Sequence, residues 1–319
     1  YRDEELKEVN PENVCIQEMD FGYKSVSVDR RILLPLSFRE YWYSTIPKCY
    51  ALLDMQPLDA AGIITLQNYP TLQLMGDGIM IGFLDTGIDY QNRVFRNLDG
   101  TTRIVGIWDQ TIQTGRTPQG LYYGTEYTEE MINAALRSED PLQIVPSVDT
   151  DGHGTFVASA AAGGAEVGNR FLGAAPEASI AMVKLKPAKN YLKEFFAIAQ
   201  DAVCYQENDI MLGLRYLNDL ARKQGMPLVI CVALGTSFGG HNGDSLLADI
   251  LDIYATVRNR CVVVGTGNEA ARRHHYFNRF TDAQDMRTAE IRVGEGTQSF
   301  AVELWSTLPN IVMVSVTSP

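Results

Sequence analysis

An α/β fold, with a largely parallel sheet sandwiched by helices, is what this sequence predicts, and two observations carry the prediction. Five short runs are largely apolar and rich in β-branched residues: 79–84 (IMIGFL), 103–108 (RIVGIW), 180–185 (IAMVKL), 228–234 (LVICVAL) and 260–264 (RCVVV). Apolar runs of that length suit strands buried on both faces, as in parallel sheets. Between them lie stretches with helical spacing, so strand and helix alternate.

In chain order, residues 1–47 are irregular and more polar, and no pattern assigns them an element. The run 79–84 leads directly into Asp85. The run 103–108 opens into residues 109–149, rich in Gly, Pro, Thr and Tyr, which read as an inserted surface excursion. It holds one helix, 129–137, with Thr128 as N-cap and Glu129 and Glu130 in its positive first turn. An Ala-rich helix at 154–163 precedes the run 180–185. Helical spacing recurs at 193–205, 209–223 and 244–258. In 209–223, Ile210, Leu214, Leu217 and Leu220 share one side, with Arg215, Asp219 and Arg222 elsewhere. After Asn278 the character changes. Segments 291–293, 299–305 and 311–316 read as β segments joined by turns, the start of an all-β unit. The division expected is an N-terminal segment at 1–48, an α/β core at 49–287 and a β-rich unit beginning at 288–319.

Composition narrows the class. The 319 residues are 45% hydrophobic and 21% charged, a globular balance. A formal net charge of -12 argues against a general nucleic-acid binder, which needs a basic surface to neutralise phosphates. No apolar run approaches the roughly 20 residues that span a bilayer. The five cysteines are odd in number, scattered and without a C-x-x-C, so neither a disulfide scaffold nor a zinc site is expected. Cys204, Cys231 and Cys261 stand in apolar contexts and read as reduced, buried residues. The chain opens on Tyr1, so a leader is neither displayed nor excluded.

Three residues stand where chemistry is expected. Asp85, in GFLDTGID, follows a buried strand, and active sites of α/β sheets form at the C-terminal ends of strands. The same D-T-G also spells an aspartic-protease motif, but that reading needs a second copy and an all-β chain. His153, in DTDGHGTFVAS, is flanked by Gly152 and Gly154 at a helix start, where an exposed ring can serve as a general base. An EF-hand reading of this loop fails because Ala160 stands where a bidentate Glu is needed. Asn268, in VVVGTGNEA, follows another buried strand, where its amide can donate to a developing oxyanion.

The order Asp then His, followed by an oxyanion Asn, fits one of the known triad orders, Asp-His-Ser. DTGID (85–89), HGTFVAS (153–159) and VVVGTGNE (262–269) resemble the Asp, His and oxyanion-Asn motifs of the subtilisin-like serine proteases, the subtilases. FLGAAPEASIAMVKL (171–185) resembles the stretch after the His helix, and VICVALG (229–235) the strand that lines the substrate cleft. YALLDMQPLDAAGI (50–63), IVGIWDQTIQTG (104–115), YGTEYTEE (123–130) and YQENDIM (205–211) narrow the resemblance to the Csp-type subtilases of clostridia and related Firmicutes. In that group a jelly-roll unit interrupts the protease domain after the oxyanion Asn, and the β segments after Asn278 would be its start. Some members act in spore germination, and some are pseudoproteases. The compartment stays open between spore-associated, cytoplasmic and secreted.

What the resemblance implies is a serine endopeptidase acting on protein or peptide substrates, with no cofactor. Asp85 would orient His153, and Asn268 would donate to the oxyanion. Ala233, Leu234 and Gly235 would form one wall of the P1 pocket, Gly265 and Gly267 the other. Glu269 would sit near the pocket's far end and favour a cationic P1 side chain. The family's nucleophile lies C-terminal to the oxyanion Asn. The chain's one G-T-S ends at Ser237, precedes Asn268 and coincides with the cleft-lining strand, so Ser237 is not taken as the nucleophile. Three accounts remain: a trimmed chain, a protease cleaved within the insertion whose remainder supplies the serine, or a pseudoprotease that binds a protein partner. Residues 1–48 are either a propeptide remnant or a mature extension.

Overall fold

The structure, a computed structural model, describes residues 14–29, 31, 37, 41–52, 63–67, 74–165, 171–267, 273–282, 284–297, 299–307 and 309–317. Its elements run β1 (Val14–Glu18), β2 (Lys24–Val28), β3 (Cys49–Leu52), α1 (Ile63–Gln67), β4 (Met80–Asp85), β5 (Ile104–Asp109), β6 (Thr125–Thr128), α2 (Glu129–Leu136) and α3 (Pro141–Ile144). They continue with α4 (His153–Ala162), β7 (Ser179–Lys184), α5 (Asn190–Phe195), β8 (Tyr205–Gln206), α6 (Glu207–Gln224), β9 (Leu228–Val232), β10 (Leu234–Gly235), α7 (Leu246–Thr256) and β11 (Arg260–Val264).

The central sheet has six strands in the order β11-β9-β4-β7-β5-β6, and every neighbouring pair is parallel except β5 with β6. The apolar runs are explained by this arrangement. Every residue of β4 and β5 is buried, because helices cover both faces. Met80 and Leu84 join Ile210, Leu214 and Leu217 of α6 and Ile250 and Tyr254 of α7 in one core. Ile81 and Phe83 point the other way, into a second core with Val157 and Ala158 of α4 and Ile132 of α2. Gly82 has a steric reason: a Cβ there would lie 2.9 Å from Leu217 Cδ1, so glycine lets α6 pack down on the sheet. The end of α6 is closed by Gly225 in the left-handed region at φ 67°, its N–H reaching Arg222 O and Ala221 O.

Several elements depart from expectation. The helix expected at 193–205 ends at Phe195, and Tyr205–Gln206 is a strand. Ala197 turns the chain at φ 54°, Lys193 Nζ takes the carbonyls of Gln200 and Ala202, and β3 recruits Tyr205–Gln206 by pairing. Tertiary partners thus outweigh a helical apolar spacing. The stretch 109–149 is more than a surface excursion: β6 extends the sheet, and Ile132, Ala135 and Val145 are buried in the second core. Thr128 precedes α2 as expected, with Glu129 and Glu130 in the first turn, although its side chain makes no capping bond. Within residues 1–47, β1 and β2 form an antiparallel hairpin that lies on α6 and α7 through Met19, Tyr23 and the Asn218–Asp20 hydrogen bond.

The expected strand 260–264 forms as β11, but it is not covered on both faces. Among the described residues it is an edge strand, and Val263 and Val264 are more than half exposed. Cys261 on it is therefore exposed rather than buried, while Cys204 and Cys49 are buried and Cys231 is intermediate. The strands expected at 291–293, 299–305 and 311–316 are not formed by the described residues, and Ile311 and Met313 are almost fully exposed. A β-branched run becomes a strand only when a partner takes its N–H and C=O groups and a face covers its side chains. These segments meet neither condition here. No described helix is long and apolar enough to cross a membrane.

Candidate active site

The site is built where β4 ends and α4 begins. Asp85 is the last residue of β4, at the C-terminal end of the parallel strands, and is 1% exposed. His153 is the first residue of α4, 68 positions later in the chain. Its Nδ1 lies 2.8 Å from Asp85 Oδ1 and 3.0 Å from Oδ2. The Thr86 N–H donates to the same Oδ1 at 2.7 Å, which fixes the carboxylate from a second direction. A neutral imidazole that donates from Nδ1 to a carboxylate carries its lone pair on Nε2, the state a general base needs.

A frame of small and polar residues holds this pair. At Gly154 a Cβ would lie 2.2 Å from Gly87 O and 3.0 Å from Asp85 Cβ, so only glycine lets α4 approach the end of β4 this closely. Gly87 itself turns the chain at φ 126°. Asp149, to which no role was assigned from the sequence, ties the two loops together. It accepts from Thr86 Oγ1 at 2.8 Å, from the Gly152 N–H at 2.9 Å, and from Thr155 N–H and Oγ1 at 2.9 and 2.7 Å. Thr86 Oγ1 in turn accepts from the Gly154 N–H at 2.8 Å. With Asp151 accepting from the His153 N–H at 3.3 Å, Asp151, Thr86 and Asp149 thus serve the otherwise unpaired donors of the first turn of α4. The D-x-D-G-H-G spacing was a usable signal for such a cap.

Burial pushes the Asp149 carboxyl up, but the hydrogen bonds from Thr155, Gly152 and Thr86 outweigh it and hold the pKa below the ordinary value. A carboxyl depressed in the folded state stabilises fully above its unfolded value of about 3.9, and the contribution is lost as pH falls through the folded pKa. Asp149→Asn is therefore expected to cost about 1–2 kcal/mol at neutral pH. In thermal unfolding between pH 2 and 7, the difference between wild type and variant should shrink as the pH drops below about 4. A pH-independent difference would exclude the carboxylate as the cause.

Tyr205 of β8 lies within electrostatic reach of Asp85, and a second set of strands gathers there. β10 follows β9 and includes Leu234 and Gly235, two of the residues expected to wall a P1 pocket; Ala233, the third, is buried just before it. A second, three-stranded sheet runs in the order β10-β3-β8. The chain's own residues Cys49–Leu52 lie in its middle, antiparallel to both neighbours, with Ala51 opposite Gly235, Leu52 opposite Leu234 and Tyr50 opposite Tyr205. Nothing in the sequence signals this occupant. The stretch expected to form the second wall begins at Gly265, whose N–H donates to Val232 O at 3.1 Å, and passes through Gly267 at φ 85°. Asn268 and Glu269 lie outside the described residues. Ser237 is exposed in the loop after β10, where its carbonyl oxygen is 3.2 Å from His241 Nε2.

Comparison with known proteins places this geometry. The CspB protease of Clostridium perfringens is similar in structure, at 37% identity and a TM-score of 0.54, over 65% of this chain and 39% of that one. A psychrophilic protease, S41, is similar at 23% identity and a TM-score of 0.38, over 67% of this chain and 53% of that one. The chain thus spans 39% of the length of the Clostridium perfringens protease. A comparison with curated proteins finds no match. The model of the subtilase family matches residues 76–304, from the turn before β4 through the segments beyond β11. The chain belongs to the subtilase family.

Proposed function

We propose that this chain is the Asp- and His-bearing part of a serine endopeptidase whose nucleophile lies on polypeptide C-terminal to Pro319. The observation that carries the reading is the 2.8 Å contact of His153 Nδ1 with the buried Asp85 carboxylate, beside a strand edge that already holds an extended peptide segment. His153 Nε2 would take the serine proton as the hydroxyl attacks the scissile carbonyl, and return it to the leaving amine. Asp85 stabilises the imidazolium formed in between. Asn268 keeps the role of oxyanion donor and Glu269 that of a cation-favouring group at P1, both as implied by the family motif. The substrate would add as an antiparallel strand to β10 and β8, the place Cys49–Leu52 takes here. On this reading 49–52 would belong with the N-terminal segment, and that segment would be a propeptide rather than a mature extension. The half-exposed Val263 and Val264 on edge strand β11 suit a sheet that further polypeptide continues.

The test is a fluorophosphonate probe applied to the full-length protein, with and without its N-terminal segment. One labelled serine beyond residue 319, with labelling lost in His153→Ala, is expected. No label on folded protein in either form would leave the pseudoprotease, a cleft that binds a protein partner without cutting it.

A further inference from the structure

The segment that enters the groove is held by more than its strand. Lys48, just before β3, is almost fully buried; its Nζ donates to Tyr43 O at 2.5 Å and forms an ion pair with Glu207 Oε2 at 3.9 Å, the two side chains being 4% and 2% exposed. The Lys48 backbone is held as well: its N–H donates to the Glu207 carboxylate at Oε2 at 3.3 Å, and its carbonyl accepts from the Glu207 N–H at 2.8 Å. Glu207 is the first residue of α6, and its other oxygen accepts from the Leu247 N–H at the start of α7. Two helix starts thus fix this carboxylate in place before any ligand arrives. Next to it, Ile46 and Cys49 are buried in an apolar hollow with Ala188, Leu192, Phe196 and Cys204. This hollow is separate from the two cores of the main sheet.

We propose that Glu207 and this hollow form a recognition site upstream of the cleft, selecting peptides with a lysine three residues before the one opposite Gly235 and an apolar residue five before. The proposal rests on reading β3 as standing where a substrate lies. The backbone bonds to Glu207 would hold any peptide, whereas the ammonium contact discriminates. With both side chains buried, a cation opposite the Glu207 carboxylate is favoured over a neutral or acidic side chain at the same position. Burial pulls the Lys48 ammonium below the usual lysine range, but the Glu207 carboxylate, and Glu303 farther out, act to keep it charged. The hollow explains the neighbouring positions: the chain that places Lys48 at Glu207 presents Ile46 and Cys49 to apolar surface.

The experiment uses the full-length protein and measures inhibition of casein hydrolysis by a peptide of the chain's own residues 41–52, and by its Lys48→Gln and Lys48→Glu versions. The lysine peptide is expected to have a Ki about tenfold lower than the glutamine peptide, and the glutamate peptide to be weakest. In Glu207→Gln protein the order should collapse. If that variant does not fold, the three peptides on wild type suffice. Equal Ki values for the lysine and glutamine peptides, or no inhibition by any of the three while casein is cleaved, would overturn the upstream site and leave the protease reading intact. No hydrolysis of casein by folded protein would remove the protease reading, and this inference with it.

Discussion

His153→Ala in the intact protease is expected to lower kcat by about 10⁶ with little change in KM. In the mechanism proposed above the imidazole has two duties, taking the serine proton and protonating the leaving amine, and alanine performs neither. Asp85→Asn should cost about 10⁴, because an amide in place of the carboxylate that lies 2.8 Å from Nδ1 favours the wrong tautomer. Both sizes are carried over from the well-studied serine proteases, subtilisin itself for the histidine, and do not come from this geometry. The two effects should not add, since each residue acts through the other. Peptide hydrolysis with purified variants checks this, with thermal unfolding as a control for folding. A His153→Ala enzyme that kept a tenth of wild-type kcat would sink the assignment of the general base.

Arg103→Met is expected to destabilise the protein by about 3–5 kcal/mol, lowering the melting temperature by roughly 10 °C. Arg103 stands just before β5 and is buried. Its Nη1 donates to Ala178 O at 2.7 Å, and its Nη2 to Val94 O and Ala162 O, each at 2.6 Å. Ala162 is the last residue of α4, so the guanidinium sits where a cation complements the helix dipole, at the far end of the helix that begins with His153. Burial lowers the Arg103 pKa and Glu177 raises it, but a guanidinium stays charged in either case. Methionine fills similar volume yet leaves three buried carbonyls without this donor. Arg103→Lys keeps the charge and loses the fork, so it should fall between the two. A loss below about 1 kcal/mol for Arg103→Met would show that water or relaxation replaces the donors.

What could be read from the residues alone was whatever depends on neighbours in the chain. The central strands β4, β5, β7, β9 and β11 fall within about one residue of their apolar runs, apart from the end of β9, and α6 buries the side that its spacing marked. The stretches DTGID and HGTFVAS were legible because a strand end and a glycine-flanked helix start are local patterns. Residues 193–205 show the limit. Their apolar spacing is helical, but the end of that stretch became β8 because β3 offered it hydrogen bonds.

The contact between Asp85 and His153, the cap supplied by Asp149 and the seat of Lys48 on Glu207 were decided by the tertiary structure. Each joins residues far apart in the chain: Thr86, 63 positions away, is brought to the Asp149 carboxylate only by the fold, and the Asp85–His153 contact, which the motif resemblance implied, is made across 68 positions. The strand Cys49–Leu52 is the extreme case. An exposed strand edge accepts the backbone of almost any extended segment. Its occupant is therefore chosen by where β8 and β10 stand in space, and by the pockets beside them, rather than by a pattern within those four residues.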